Sequence, residues 1–140
     1  MEEQEPKHYF SVEEAEALIP RIEEIVAPMM DAHTQFEQIR EQLQVEEQQV
    51  MFSGGFSLDS ERWRERKAKM DRLAQIIQDG VGEIVSLGAV PKDLQLGLVD
   101  FPFMRHDSEA NLCWRYGEKS IRYWHGLNEG YTTRKSLSPD

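Results

Sequence analysis

One cysteine, Cys113, stands in the whole chain, so no disulfide can close within it. That scarcity fits a reducing compartment, and the expectation is a cytoplasmic protein. Basic residues are also short, with 16 Lys and Arg against 26 Asp and Glu and a net charge of −10. Binding nucleic acid through phosphate neutralisation needs a basic face, so nucleic acid is not an expected partner. No hydrophobic run approaches the roughly 20 residues of a membrane-spanning helix. The opening Met-Glu-Glu-Gln-Glu-Pro-Lys is acidic and lacks the apolar stretch of an export signal, so neither membrane insertion nor export is expected.

What is present suits a globular chain. With 39% apolar and 30% charged residues it is too apolar for a disordered one, and 140 residues leave room for one domain, 1–140. The charge is uneven. Residues 1–88 hold 9 Lys and Arg against 19 Asp and Glu, whereas residues 89–140 hold 7 against 7. All the net charge therefore sits on the first part of the chain.

That first part carries a helical period. Ser11 and Glu14 have the spacing of a capping box, with Phe10 placed as a hydrophobic staple. Ala15, Leu18, Ile22, Ile25, Met29, Ala32, Phe36, Ile39 and Leu43 then recur in steps of three and four, a coiled-coil-like seam. Helix 1 is expected over 11–48, with a kink or short break near Ile19 from Pro20 and a second bend near Ala27 from Pro28. Ser53-Gly54-Gly55 marks a turn within 48–58. Helix 2 is expected over 59–87, capped by Asp59 or Ser60 and continued by Trp63, Met70, Leu73, Ile77, Val81 and Ile84. Gly88 stands as a C′ glycine and Pro91 blocks further helix. Gly80 and Gly82 weaken the last turns, which suggests a close approach there.

An antiparallel fold-back matches four apolar layers, setting Leu43 against Trp63, Phe36 against Met70, Met29 against Ile77 and Ile22 against Ile84. It also brings the block Arg62 to Arg72 beside Glu37, Glu41, Glu46 and Glu47. Near the start of helix 1 a second apolar row, Val12, Ile19, Val26 and Met30, makes a stripe too wide for one partner helix. Three short strands are not expected to cover that stripe fully, so self-association as a symmetric homodimer is expected.

After Pro91 the period drops to two. Leu98–Phe103, Asn111–Tyr116 and Ile121–His125 read as strands within a small antiparallel sheet over 92–126, followed by a tail over 127–140. The fold class is mainly α (α+β), a long two-helix hairpin followed by about three strands. A tight turn at Gly117-Glu118-Lys119-Ser120 sets Leu112, Trp114, Tyr116, Ile121, Tyr123 and His125 on one face and Cys113, Arg115, Arg122 and Trp124 on the other. Arg115 then faces Arg122, which calls for an acidic cover from the start of helix 1.

These residues carry a resemblance. Lys92-Asp93 with Gly97-Leu98-Val99-Asp100-Phe101-Pro102, then Leu112-Cys113-Trp114, Gly117-Glu118, Ile121, Trp124-His125, Gly130-Tyr131 and Arg134 resemble the hallmark of an uncharacterised prokaryotic family, domain of unknown function 2203. The segment Phe10 to Pro20 is similar to that family's opening, and Ser136 stands where its closing motif has proline. The resemblance implies no activity, because the family has none established.

Asp93, Asp100, Cys113, Glu118, His125 and Arg134 are the chemically capable residues of this third. A His with two carboxylates suits a divalent metal or a general-base water. No HExxH, CxxC, glycine-rich phosphate loop or di-iron Glu-His pair accompanies them, and no cofactor is named. Each also has a plain structural use. His125 is a half-buried satisfied ring; Asp93 and Asp100 cap turns; Glu118 serves Arg115 or Arg122; Cys113 is a packed thiol; Arg134 ties the tail to helix 1. The leading expectation is a non-enzymatic interaction or assembly module with a protein partner. The alternative is a small-ligand or divalent-metal-binding protein, whose enzymatic form would be a hydrolase. Its binding site is expected where the sheet meets the first turns of helix 1, around His125 and Asp100 with Asp93, Glu118 and Arg134.

Overall fold

The computed structural model describes residues 7–52 and 60–137. Helix α1 (Val12–Phe52) opens on the capping box: Glu14 N–H donates to Ser11 Oγ at 3.1 Å, and Ser11 N–H donates to Glu14 Oε1 at 3.2 Å. Phe10, just before it, is buried and meets Phe101 edge-on with 5.3 Å between ring centroids. The helix entry is thereby stapled to the sheet. From there α1 runs 41 residues, unbroken through Pro20 and Pro28. The break expected near Ile19 does not occur. Each proline costs about 3 kcal/mol of helix, but Ile19, Ile22, Ile25, Val26 and Met29 are buried on both sides of them, and that packing holds the helix together. The helix also takes in Gln48–Phe52, read from sequence as turn. Ser53-Gly54-Gly55 and the candidate cap Asp59 lie outside the described residues.

Helix α2 (Ser60–Ser86) folds back along α1 and ends in a Schellman motif. Gly88 sits at φ +95°, its N–H donates to Val85 O, and Ala89 N–H reaches Ile84 O. In the far half of the hairpin Ala32, Ile39, Leu43 and Leu73 form a core cluster flanked by Phe36, Trp63, Met70 and Ile77, and Arg66 pairs with Glu46. That pair is one of those the charge pattern called for, whereas Glu37 pairs with Arg40 of its own helix.

Met29 packs over Gly80: a Cβ built at Gly80 would lie 2.3 Å from Met29 Sδ and 2.5 Å from its Cγ. Gly80 is thus the close approach that the sequence suggested, whereas a Cβ at Gly82 would meet nothing within 4 Å. Opposite outcomes follow for one substitution. Gly82→Ala is expected to stabilise by about 1 kcal/mol through helix propensity. Gly80→Ala gains the same propensity but overpacks a fully buried Met29 at the stem of its side chain, for a net loss of about 1–2 kcal/mol. Thermal melts of the two variants check this. Equal melting temperatures would remove the close contact.

The sheet is a five-stranded antiparallel meander, β1 (Val90–Asp93), β2 (Leu98–Arg105), β3 (Ser108–Arg115), β4 (Tyr123–Gly126) and β5 (Lys135–Ser136), in that spatial order. Two strands beyond the three expected are added at its edges. Gly97 closes the β1–β2 turn at φ +71°, and a side chain there would collide with Tyr116 Cβ and the Met30 thioether.

The β3–β4 register is one residue away from the expected one. Cys113 pairs with Tyr123 and Asn111 with His125, where a tight turn at 117–120 would have set Cys113 beside Trp124. The connection is an irregular loop held by two local bonds to Glu118 and one long-range bond to α1. Trp114 Nε1 donates to Glu118 O at 2.9 Å, Arg115 N–H to Glu118 Oε1 at 2.7 Å, and Ile121 N–H to Glu16 Oε1 of α1 at 3.0 Å. A slip of one residue exchanges the faces of a strand. His125 therefore lies on the face of Cys113, not with Leu112 and Trp114. Arg115 and Arg122 do not oppose each other either; Arg115 donates to Tyr131 Oη and Arg122 to Ser120 Oγ. Helix 1 does supply the carboxylate, Glu16, but to a backbone N–H.

Val99, Phe101, Phe103, Ala110, Leu112 and Trp114 form one face and pack on Ile19, Ile22, Ile25, Val26, Met29 and Ile84. The wide stripe on α1 is thus covered within the chain, with Ile19 and Val26 buried and Val12 and Met30 packed at its margin. The opposite face carries Asp100, Asn111, Cys113, Tyr123 and His125 under the segment that follows β4. Among the described residues no helix is long and apolar enough to cross a membrane.

Candidate metal centre

Three neighbouring strands each contribute one group to that second face. Asp100 comes from β2 and pairs with Cys113 of β3; His125 comes from β4, opposite Asn111. Asp100, Cys113 and His125 are 2%, 1% and 4% exposed. Their ligating atoms all lie within 4.8 Å of one another. His125 Nε2 meets Asp100 Oδ2 at 2.9 Å, and His125 Nδ1 meets Gly126 O at 2.8 Å.

The second contact fixes the ring. A carbonyl only accepts, so Nδ1 carries a proton and Nε2 is the nitrogen that faces Asp100. A bond between Nε2 and the carboxylate then needs a further proton shared by the pair, or a cation in its place. A backbone carbonyl behind one ring nitrogen is the usual support for a histidine that ligates through the other.

Burial raises the Asp100 carboxyl above the ordinary range, and this outweighs the opposing pull of His125, Lys92 and Cys113. Burial, reinforced by the Asp100 charge, pushes the Cys113 thiol up to about 11, against the pull of Arg134. The free protein therefore holds a thiol there, not the thiolate that nucleophilic chemistry requires. A bound divalent ion reverses this, because a coordinating thiol is deprotonated. Oxygen, sulfur and nitrogen ligands around zinc stand about 3.3–3.7 Å apart, so closing on an ion requires His125 and Asp100, 2.9 Å apart, to part by about 0.5 Å and the widest pair, within 4.8 Å, to draw in by no more than about 1.5 Å.

The cluster opens on a cavity of about 130 Å³, whose walls include Lys92, Leu98, Asn111, Leu127, Glu129 and Tyr131. No residue of α1 lines it, so the expected position at the first turns of helix 1 is corrected. The register slip is the reason: it carries His125 to the sheet face turned away from the helices.

The remaining candidates separate. Asp93 caps the β1–β2 turn, its Oδ1 accepting from Gln95 N–H at 2.8 Å and Leu96 N–H at 2.9 Å. Glu118 takes Arg134 in a two-pronged pair at 3.1 and 2.9 Å, so Arg134 ties the tail to the β3–β4 loop and not to helix 1. The Arg134 guanidinium lies 3.9 Å over Tyr123 and 4.5 Å over Tyr131, beside the Cys113 thiol. It borders the cluster without entering it. Lys92, Asn111 and Tyr131 were not singled out as site residues. Asn111 becomes visible once β3 and β4 are correctly paired, while Lys92 and Tyr131 reach the cavity through a bulged edge strand and a short turn that carry little pattern.

No curated protein and no solved structure matches the chain. One family model does, over residues 8–137, that of the uncharacterised conserved proteins DUF2203. Nearly the whole fold described above, from Phe10 to the last strand, falls inside that match, and the chain belongs to the DUF2203 family.

Proposed function

We propose that this protein binds one divalent transition-metal ion through Asp100, Cys113 and His125. The observation that carries this is the meeting of three different ligand types within 4.8 Å of one another, all nine-tenths or more buried, with the histidine tautomer fixed by Gly126 O. Thiolate and imidazole together favour Zn²⁺ or Co²⁺ over Mg²⁺ or Ca²⁺. Three protein ligands leave a position toward the cavity, the arrangement in which zinc polarises a substrate or activates a water. The reduced thiol that such a centre needs fits a cytoplasmic setting.

Titration of chelator-stripped protein with Co²⁺ tests it. One ion per chain should bind with a thiolate-to-cobalt charge-transfer absorption. Cys113→Ser is expected to abolish that absorption and His125→Ala to weaken binding by more than about tenfold. Absence of cobalt uptake, together with no stoichiometric metal in protein purified without chelators, would remove the proposal.

A second reading, a non-enzymatic interaction module, draws on the far half of the hairpin, whose core cluster is built from the two helices alone. Val45 and Met51 stand exposed there. If that arm recruits a protein, lysine at both positions abolishes its co-purification from the host and leaves cobalt binding intact.

A further inference from the structure

We infer that the loaded centre takes a small monoanion, a short-chain carboxylate, held between the ion and Lys92; this rests on the metal reading above. The charges around the cavity point to that class. A divalent ion balanced by the Asp100 carboxylate and the Cys113 thiolate leaves the cluster neutral. Arg134 is matched by Glu118, and Glu129, on the cavity wall, is matched by Lys135 at 2.7 Å and by Gly126 N–H at 2.8 Å. Lys92 remains. It stands exposed at the rim, close enough for its charge to act on Asp100, and it forms no ion pair among the described residues. Among the residues that line the loaded pocket, Lys92 therefore leaves one uncompensated positive charge beside an open metal position. A monoanion neutralises it, and a phosphate dianion overshoots.

The walls supply the remaining selection. Asn111 stands next to His125 and offers amide N–H groups to a second oxygen, so a carboxylate can place one oxygen on the ion and the other toward Asn111 and Lys92. Leu98 and Leu127 give the same cavity an apolar side. Its volume of about 130 Å³ compares with the roughly 150 Å³ cavity that accepts benzene, so a ligand of about six heavy atoms fits. A four-carbon carboxylate has that size.

The test uses cobalt-loaded full-length protein and three probes, butyrate, butyramide and inorganic phosphate, read by the visible cobalt spectrum. Butyrate is expected to shift the spectrum saturably and to bind at least about tenfold tighter than the neutral amide. Lys92→Met, at an exposed position, should weaken butyrate by about tenfold while cobalt uptake persists. Normal cobalt binding with butyrate and butyramide indistinguishable, with phosphate the tighter anion, or with no change in Lys92→Met would overturn the carboxylate assignment and leave the metal centre standing. Failure of the wild-type protein to take up cobalt removes both.

Discussion

Replacing Phe101 with alanine is expected to lower stability by about 3–5 kcal/mol. The ring is fully buried in the middle of β2, where it joins the sheet to α1 and meets Phe10 edge-on. Its loss removes the apolar contacts of a large side chain and leaves a space between a sheet and a helix that are each too rigid to collapse into it. It also removes the aromatic pair that fixes the entry to α1, worth about 0.5–1.5 kcal/mol of its own. Against a total stability of roughly 5–15 kcal/mol, the variant is left marginal. A fall in melting temperature of about 10 °C or more should be seen by circular dichroism. Met104→Ala, in the same strand but 46% exposed, is the control and should change stability by about 0.5 kcal/mol or less. Similar losses in both variants would mean that the sheet–helix interface does not carry the stability assigned to it.

The parts of the fold that were legible in sequence are those set by local chemistry. Ser11 and Glu14 close a capping box because both partners lie within one turn. Gly88 ends α2 because its backbone must turn left-handed there. The heptad seam pairs the helices because apolar residues recur at one period over more than 40 Å. The misread β3–β4 connection was set by bonds that leave no period in the sequence, one of them to a distant partner. Nothing between Cys113 and Tyr123 announces that Trp114 will donate to Glu118 O or that Glu16, 105 residues away, will accept from Ile121. Those bonds shift β4 by one residue. Tyr123 and Trp124 gave no warning, since amphipathic aromatics suit either face.

The same shift governed the site. His125 and Asp100, expected together because buried imidazole and carboxylate groups require partners, do meet at 2.9 Å. The expected strand pairing, however, puts His125 on the opposite face from Cys113, and a thiol in an apolar strand away from any helix N-terminus reads as packed and unreactive. Asp93, Glu118 and Arg134 were grouped with the centre because they are near in sequence and chemically capable. Period and spacing cannot distinguish a turn cap or a loop-to-tail pair from a ligand.

In chelator-treated protein, His125→Leu is expected to cost about 3–5 kcal/mol, because it strands a carboxylate that is 2% exposed. Asp100→Leu leaves the ring Nε2 unpaired and should cost about 1–3 kcal/mol. The double variant replaces both partners with apolar groups on a face that already holds Leu98, so it should fall well short of the sum, with a coupling of about 1–3 kcal/mol. Additive losses would mean that the 2.9 Å contact between the two is not energetically real. The cycle repeated with Zn²⁺ separates a stabilising network from a site. A ligand that binds only the folded state at about 100 times its Kd adds about 2.7 kcal/mol, and the wild type should show that gain while all three variants lose most of it. A network without chemistry gives the same coupling in both halves of the experiment, because zinc then has nothing to bind. A centre gives coupling that grows when zinc is present, since either single substitution removes the ion as well as the bond.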